Sequence, residues 1–500
     1  MAQRWIYRYE VKGIQPYILA TDKLREMQGA SSLIEAIGEL FGEARSAFGL
    51  QGARLLSMPT AGGGSLEVED GQRSRIETLM SAWPLLVSRH APGLQVVQAM
   101  VPQGEGAWDA LHDELRRDRS RVDPELPEAG PMVLRAPRTG LPACGRKDTY
   151  VDPAGLRKLE AAAEDRLAKR LGRGGWLEDL DRIGHPYVGV VHLDGNDMGQ
   201  HLRRLGHGDL LAFSEGLERA TLATVQAAVE ETLREPGDSV TLPARPIVVG
   251  GDDVTFIVRG DLALPFAAAL LRVFERQTGA LCKELPALGC QHLTAAAGVA
   301  LVHKRHPFHA AYDLAEGLCK HAKRALRGKA SPTPSGLSFH RLTTSLAGTF
   351  DDILDQELRA DSTEGGKRRA ARDREDLLTL CPYTLQPVDD RATLESLERL
   401  VEAARGLPRG ALREWAGLMR ESGERARQHF QRIQQVQKDK DRERFAEFEA
   451  ALGAMGAGGG WRKVGAPGPD GRAPQASPIP DVLTWQSLAP AGSKTARRNA

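Results

Sequence analysis

Two adjacent carboxylates on a glycine turn are the residues of this sequence best suited to do chemistry. Gly250-Gly251-Asp252-Asp253 lies between the apolar runs Pro246-Ile247-Val248-Val249 and Val254-Thr255-Phe256-Ile257-Val258. Glycine supplies the positive φ that a tight hairpin turn demands. Side by side on that turn, Asp252 and Asp253 repel each other, and divalent cations between them remove the penalty. A second acidic element ends another apolar run, Val190-Val191-His192-Leu193-Asp194-Gly195-Asn196-Asp197-Met198-Gly199. As first and third strands of a ferredoxin-like sheet the two runs are antiparallel neighbours, which brings Asp194 beside Asp252 and Asp253. Such a cluster holds two Mg²⁺ (or Mn²⁺) ions about 4 Å apart, one activating a ribose 3′-hydroxyl and one stabilising the triphosphate leaving group. Gly195, Gly250 and Gly251 would let backbone groups approach metal and phosphates where a side chain would obstruct them. The candidate metal set is therefore Asp194, Gly195, Asp252 and Asp253, with the three aspartates as catalytic residues. An isolated GGDD also suits an ordinary hairpin with solvated aspartates; the flanking strands and Asp194 favour the metal. Asp197 is read as a helix cap in preference to a ligand.

The elements that must position these residues form an α+β fold with an internal repeat. Strand periodicity marks Trp5–Val11, Arg54–Met58, Ser65–Glu69 and Leu94–Val101, with helices over Gln15–Phe48 and Arg73–Val87, a β-α-β-β-α-β order. The order recurs with strands Tyr187–Leu193, Ile247–Val249, Val254–Val258 and His292–Val302 and helices Phe213–Leu233 and Leu264–Leu281. In the first copy Lys12-Gly13 stands where the second has Asp194-Gly195, and Gly62-Gly63-Gly64-Ser65 stands where it has GGDD. Without carboxylates the first copy should not bind catalytic metal. Lys12 and the glycine turn at Gly63 could receive a second nucleotide, or the copy serves only as a structural mate. The expected organisation is a first ferredoxin-like domain over 1–140, a helical linker over 141–182, a second ferredoxin-like domain over 183–345, a C-terminal helical domain over 346–452, and a tail over 453–500. The tail is rich in Gly, Pro, Ala and Ser and reads as flexible, with Ile479–Leu488 as a docking segment.

Composition narrows the class without choosing a partner. Lysine and arginine total 67 against 66 acidic residues, so no global field draws the chain to nucleic acid or an anionic membrane. Five scattered cysteines without a C-x-x-C pair fit reduced thiols and not a disulfide framework or zinc site. No leader or long apolar run is apparent, and the reading is a cytoplasmic protein with no membrane segment. His303, His306 and His309 straddle a strand end and a helix start and read as ordinary histidines; Gly365–Arg369 reads as a charged loop.

These residues resemble a family, the large polymerase-like subunit of type III CRISPR effector complexes, nearer its Cmr branch than its Csm branch. The likeness is carried by Gly13-Ile14-Gln15-Pro16-Tyr17-Ile18, Leu24–Ser32, Asp194–Gly199, the GGDD hairpin, Ala296–Ala300 with His306-Pro307-Phe308, Ala322-Lys323, Leu337–His340 and Pro382–Leu385. It implies two palm domains that convert ATP into cyclic oligoadenylates when the complex senses target RNA, with guide RNA and other effector subunits as partners. It also implies Lys323 as a triphosphate contact and Ser31 and Ser32 as nucleotide contacts in the first palm. The family's HD nuclease is not expected here, since His112-Asp113 lies in a charged amphipathic helix, nor is its zinc ribbon, since the linker keeps only Cys144. Two other readings stay open at this point: a stand-alone nucleotidyl cyclase making another cyclic or mixed nucleotide, and a non-catalytic scaffold of an RNA-guided complex.

Overall fold

The structure, a computed structural model, describes residues 3–60, 62–121, 130–206, 209–233, 241–343, 348–360, 376–389, 391–465 and 473–488. The first palm contains strands β1 (Arg4–Lys12), β2 (Arg54–Ser57), β3 (Gly63–Glu69) and β4 (Gln95–Pro102), arranged β2-β3-β1-β4. Helices α1 (Ile14–Leu19), α2 (Leu24–Glu35), α3 (Ile37–Ala47) and α4 (Arg73–His90) connect them, and α5 (Ala107–Arg119) follows. Tyr7, Tyr9, Phe41 and Trp83 are buried together on one face of the sheet, while α5 covers the other through Leu111 and Leu115. The single helix expected over 15–48 is three helices. Thr21 and Asp22 explain the first break: the Thr21 hydroxyl accepts from Lys23 N and donates to Glu26 Oε2, and Asp22 Oδ1 accepts from Phe308 N. Short polar side chains that bond nearby backbone compete with the helix ladder.

Between the palms lie a small hairpin, β5 (Gly145–Arg146) and β6 (Tyr150–Val151), then α6 (Pro153–Ala161) and α7 (Arg166–Arg170). Asp152 caps α6 by accepting from Gly155 N. Helix α6 lies close against α2: a Cβ on Gly29 would stand 1.6 Å from Lys158 O.

The second palm repeats the topology and extends it. Strands β7 (Tyr187–Gly195), β8 (Ala244–Gly250), β9 (Asp253–Arg259) and β10 (Ala295–His303) run β8-β9-β7-β10, the order of the first palm. Strand β11 (Gly336–Arg341) adds parallel to β10, and β12 (Tyr383–Thr384) antiparallel to β11. Helices α8 (Met198–Arg204), α9 (Asp209–Thr232), α10 (Gly260–Glu284) and α11 (Phe308–Leu326) complete the unit. Strand β7 is buried on both faces, so its sequence is a near-continuous apolar run. Val191 and Leu193 join α9 and α10 in one core, and Val188 and Val190 join α11 and the first palm in another. The two palms thus share a hydrophobic core. After the short helix α12 (Phe350–Gln356), the helical region is α13 (Leu394–Ala404), α14 (Arg409–Glu421), α15 (Gly423–Lys440) and α16 (Arg442–Ala454).

The expectation of a flexible tail from 453 is corrected for residues 453–465 and 473–488. Strands β13 (Arg462–Lys463) and β14 (Gln475–Ala476) pair, and α17 (Ile479–Leu488) docks through buried Ile479, Val482 and Leu488. Asp481 of α17 is buried and accepts from Leu380 N at 2.8 Å and from the Tyr383 hydroxyl at 2.5 Å. The charged loop expected at 365–369 and the remainder of the tail, 466–472 and 489–500, lie outside the described residues. The cysteines are free thiols, and the fold brings Cys282 and Cys290 together with sulfurs 2.9 Å apart. No described helix is long and apolar enough to cross a membrane.

Candidate active site

Strand register assembles the carboxylates. Leu193 of β7 pairs with Val254 of β9, so Asp194 and Asp253 lie one residue further along adjacent antiparallel strands. Gly250 pairs with Asp253, leaving Gly251 and Asp252 as a two-residue hairpin loop. Gly251 has φ +59°, the left-handed region that glycine adopts without strain. Gly195 lets the turn close over β7: a Cβ there would lie 2.8 Å from Asp252 Cβ and 2.9 Å from its Oδ2. Gly250 and Gly251 face open space on the other side.

The three carboxylates are crowded and under-compensated. Burial together with the Asp194 charge pushes the Asp252 carboxyl upward. Asp253 is pushed up to about 7, by burial first and then by Asp194 and Asp252. Asp253 Oδ2 accepts from Gln15 Nε2 at 2.6 Å, while its Oδ1 is buried with no hydrogen-bond partner. Among the described residues, the cation in direct contact with the cluster is the Lys323 ammonium of α11, 2.6 Å from Asp194 Oδ2 and 2.6 Å from Gly195 O. His192 approaches Asp253 Oδ1 at 3.5 Å, but burial lowers it to about 4, so it is neutral near pH 7 and adds no positive charge.

An orphaned buried carboxylate oxygen, two carboxyls held above their usual range and an all-oxygen donor set fit a hard divalent cation. Asp194, Asp252, Asp253 and the Gly195 carbonyl are the groups that could hold it. His192, Asp194 and Cys319 also bring ligand atoms within 4.8 Å of one another. Burial raises the Cys319 thiol far above its ordinary value and its sulfur donates to Ala296 O, which leaves no thiolate for a soft metal. His303, His306 and His309 form no such group among the described residues.

The other residues singled out by sequence fall in different places. Lys12 lines a cavity of about 360 Å³ in the first palm with Gly13, Tyr17, Glu26, Arg138 and Lys158. Gly63 lies outside it on β3, opposite Glu10, where a Cβ would meet Tyr9 O at 2.4 Å. Ser31 and Ser32 are buried at the contact with the linker and second palm: Ser31 Oγ donates to Ile247 O, and Ser32 Oγ accepts from Arg166 N. Asp197 precedes α8 with φ +55° and makes no cap bond; its carboxylate accepts from Thr333 N and Gln200 Nε2.

Four contributors escaped the sequence reading. Gln15 reaches Asp253 from the first palm. Asn196, buried, donates to Thr294 Oγ1 and to the carbonyls of Thr333 and Pro334, fixing the loop after β7. Glu218 and Thr221 of α9 take the amide and carbonyl of Gly251. Gln15 and Asn196 stand inside recognised motifs, and that position was their only signal; nothing local marks Glu218 or Thr221.

Residues 187–331 match the family model described as Cas10/Cmr2, second palm domain. The chain is similar to a solved Csm1–Csm4 cassette in complex with AMPPNP, at 14% identity over 67% of this chain and 54% of that one, TM-score 0.45. A Csm1–Csm4 subcomplex of the type III-A CRISPR-Csm interference complex gives 13% identity, 67% and 54% coverage, and TM-score 0.46. A cassette in complex with cA4 gives 14%, 68% and 54%, and 0.45. The chain spans about half the length of these solved chains. No curated protein matches it in sequence. Residues 187–331, with the carboxylate cluster inside them, belong to the Cas10/Cmr2 second palm family.

Proposed function

We propose that the chain is a metal-dependent nucleotidyltransferase that joins ATP into cyclic oligoadenylates, acting as the palm subunit of a type III CRISPR effector complex and activated by target RNA. The observation that carries this reading is the convergence of Asp194, Asp252 and Asp253 with one buried carboxylate oxygen left without a partner. A scaffold gains nothing from three crowded carboxylates, whereas phosphoryl transfer needs them. Complex membership, guide and target RNA as partners, and ATP as substrate are drawn from the family likeness of residues 187–331.

Bound to this cluster, Mg²⁺ or Mn²⁺ would supply Lewis acidity to a ribose 3′-hydroxyl and to the departing pyrophosphate. The chain's own residues do the rest. Asp194, Asp252 and Asp253 concentrate negative charge on one edge of the sheet. Gly250 and Gly251 leave that edge open for a triphosphate. Lys323 brings a cation to the same edge, held by Asp194 and Gly195 O, and can turn to a phosphate oxygen when one arrives.

Incubation of the purified protein with each nucleoside triphosphate and Mg²⁺ or Mn²⁺, with and without complex partners and target RNA, tests the proposal by mass spectrometry. Cyclic adenylates from ATP are expected, and none from D252A/D253A. Absence of product under every condition, with nucleotide still bound, would overturn it. Lys323→Met should lower product formation about a hundredfold, with the salt dependence of ATP binding weakened. A variant within threefold of the parent would remove Lys323 from the site.

A further inference from the structure

The GGDD turn is gripped from behind by residues with no place in the chemistry proposed above. Gly251 N donates to Glu218 Oε2 at 3.1 Å, and Gly251 O accepts from Thr221 Oγ1 at 2.5 Å. Both backbone groups of Gly251 are thereby fixed to α9. Glu218 is itself fixed by Arg170, the last residue of α7 in the linker, whose Nη1 lies 2.6 Å from Glu218 Oε1. The same guanidinium donates through Nη2 to Val249 O, the carbonyl just before the turn. Its Nη1 also lies 3.0 Å from Oε2 of Glu35, at the end of α2 in the first palm. Glu35 keeps only 13% of its side chain exposed, so this carboxylate has little water to replace Arg170.

Arg170 therefore joins the degenerate palm, the linker, α9 and the catalytic hairpin at one planar group. Only a guanidinium can do this, since its donors point in fixed, separate directions in one plane. The first palm touches the hairpin at two further points: Ser31 Oγ to Ile247 O at 3.0 Å, and Gln15 Nε2 to Asp253 Oδ2. A tilt of the first palm is transmitted to both sides of the loop that carries Asp252 and Asp253.

We infer that Arg170 is a positioning residue through which the carboxylate-free palm sets the geometry of Asp252 and Asp253, so that this palm controls the site without binding its metal. The inference rests on the reading of Asp194, Asp252 and Asp253 as metal ligands. Displacements of about 1 Å suffice to lower phosphoryl-transfer rates about a hundredfold, so a loosened turn acts on turnover before it acts on substrate affinity.

The test compares the parent protein with Arg170→Met, Arg170→Lys and Glu35→Gln, all in the complex or condition that supports parent turnover. Three quantities are read: kcat and KM for ATP, Mn²⁺ affinity from electron paramagnetic resonance of the free ion, and deuterium uptake of the peptide containing Gly251. Arg170→Met is expected to lose ten- to hundredfold in kcat with KM within threefold. It should also weaken Mn²⁺ at least fivefold and exchange the Gly251 amide at least tenfold faster. Arg170→Lys should recover less than half of the lost kcat, because an ammonium cannot bridge Glu35, Glu218 and Val249 O together. Glu35→Gln weakens the tie to the first palm by replacing a charge-assisted contact with a neutral one while leaving the Arg170–Glu218 contact, and should lose threefold or more in kcat with an unchanged melting temperature; it remains informative if Arg170→Met fails to fold. Parent-like kcat, Mn²⁺ affinity and exchange in Glu35→Gln and in every Arg170 variant that folds would overturn the inference. If the parent itself neither turns over nor binds Mn²⁺, the metal-site reading has failed, and the inference falls with it.

Discussion

In metal-free buffer Asp253→Asn should melt higher than the unsubstituted protein, and its advantage should grow as pH rises from about 4 to 7. The Asp253 carboxyl moves from an ordinary value of 3.8 to about 7 in the folded protein. Between those values the folded state holds a proton that the unfolded state has released, so stability falls as pH rises through the window. Below it both states are protonated and the penalty is absent; above it the penalty is complete. At about 1.4 kcal/mol per pKa unit the effect is at most roughly 4 kcal/mol. Asparagine does not titrate, and its side-chain oxygen can still accept from Gln15. Saturating Mn²⁺ should reverse the ranking, because an ion bound only by the folded state stabilises the parent by mass action and finds one carboxylate fewer in the variant. The same substitution should lower product formation at least about a hundredfold. Thermal melts from pH 4 to 8, with and without Mn²⁺, check the claim. An unchanged ranking on adding metal would mean that the cluster is not a metal site.

Gly298→Ala should damage both stability and turnover although it adds one methyl group far from the carboxylates in sequence. Gly298 lies on β10 between His192 of β7 and Ser338 of β11. A Cβ there would stand 2.0 Å from Ala315 O and 2.5 Å from Cys319 N, both backbone atoms of α11. Helix backbone cannot yield as a flexible side chain would, so α11 must lift by about 1 Å. Lys323 is on the same helix, roughly two turns beyond Ala315. Overpacking of this kind costs about 1–3 kcal/mol or more, and the displaced ammonium should lower kcat about a hundredfold. A melting temperature within 1–2 °C of the parent, roughly what half a kcal/mol would produce, would show that α11 seats differently.

Much of the site was legible because it rests on strands. Near-continuous apolar runs locate β7 and β9, ferredoxin-like topology makes them neighbours, and Leu193 opposite Val254 then places Asp194 beside the turn. What could not be read depends on long-range polar contacts. Gln15 and Asp253 are 238 positions apart, and no periodicity announces a glutamine in a six-residue helix. Arg170 resembles any arginine at a helix end, where the helix dipole favours a cation. Ser31 and Ser32 were assigned by resemblance alone, and in the fold their hydroxyls serve the contact between palms and linker. The docking segment Ile479–Leu488 was legible, and α17 docks there through Ile479 and Val482, three apart on one buried face; the glycine- and proline-rich approach hid the β13–β14 pair before it.

That late helix also bears on the timing of synthesis. Helix α17 packs against α10, α13, α14 and β11, and Asp481 satisfies the Leu380 amide and the Tyr383 hydroxyl beside the last strand of the large sheet. Helix α10 leaves the ribosome about two hundred residues before α17, roughly 10–40 s at ordinary elongation rates. During that interval the sheet carrying Asp194, Asp252 and Asp253 has an uncovered apolar flank, and once Leu380 is made its amide has no acceptor. The strands and helices of the first palm are made by residue 119, and its core closes once Val188, Val190 and α11 have joined it, well before α17. A nascent chain interrupted before residue 473 would therefore present a finished first palm joined to an unsealed second one, the species most exposed to chaperones and proteases.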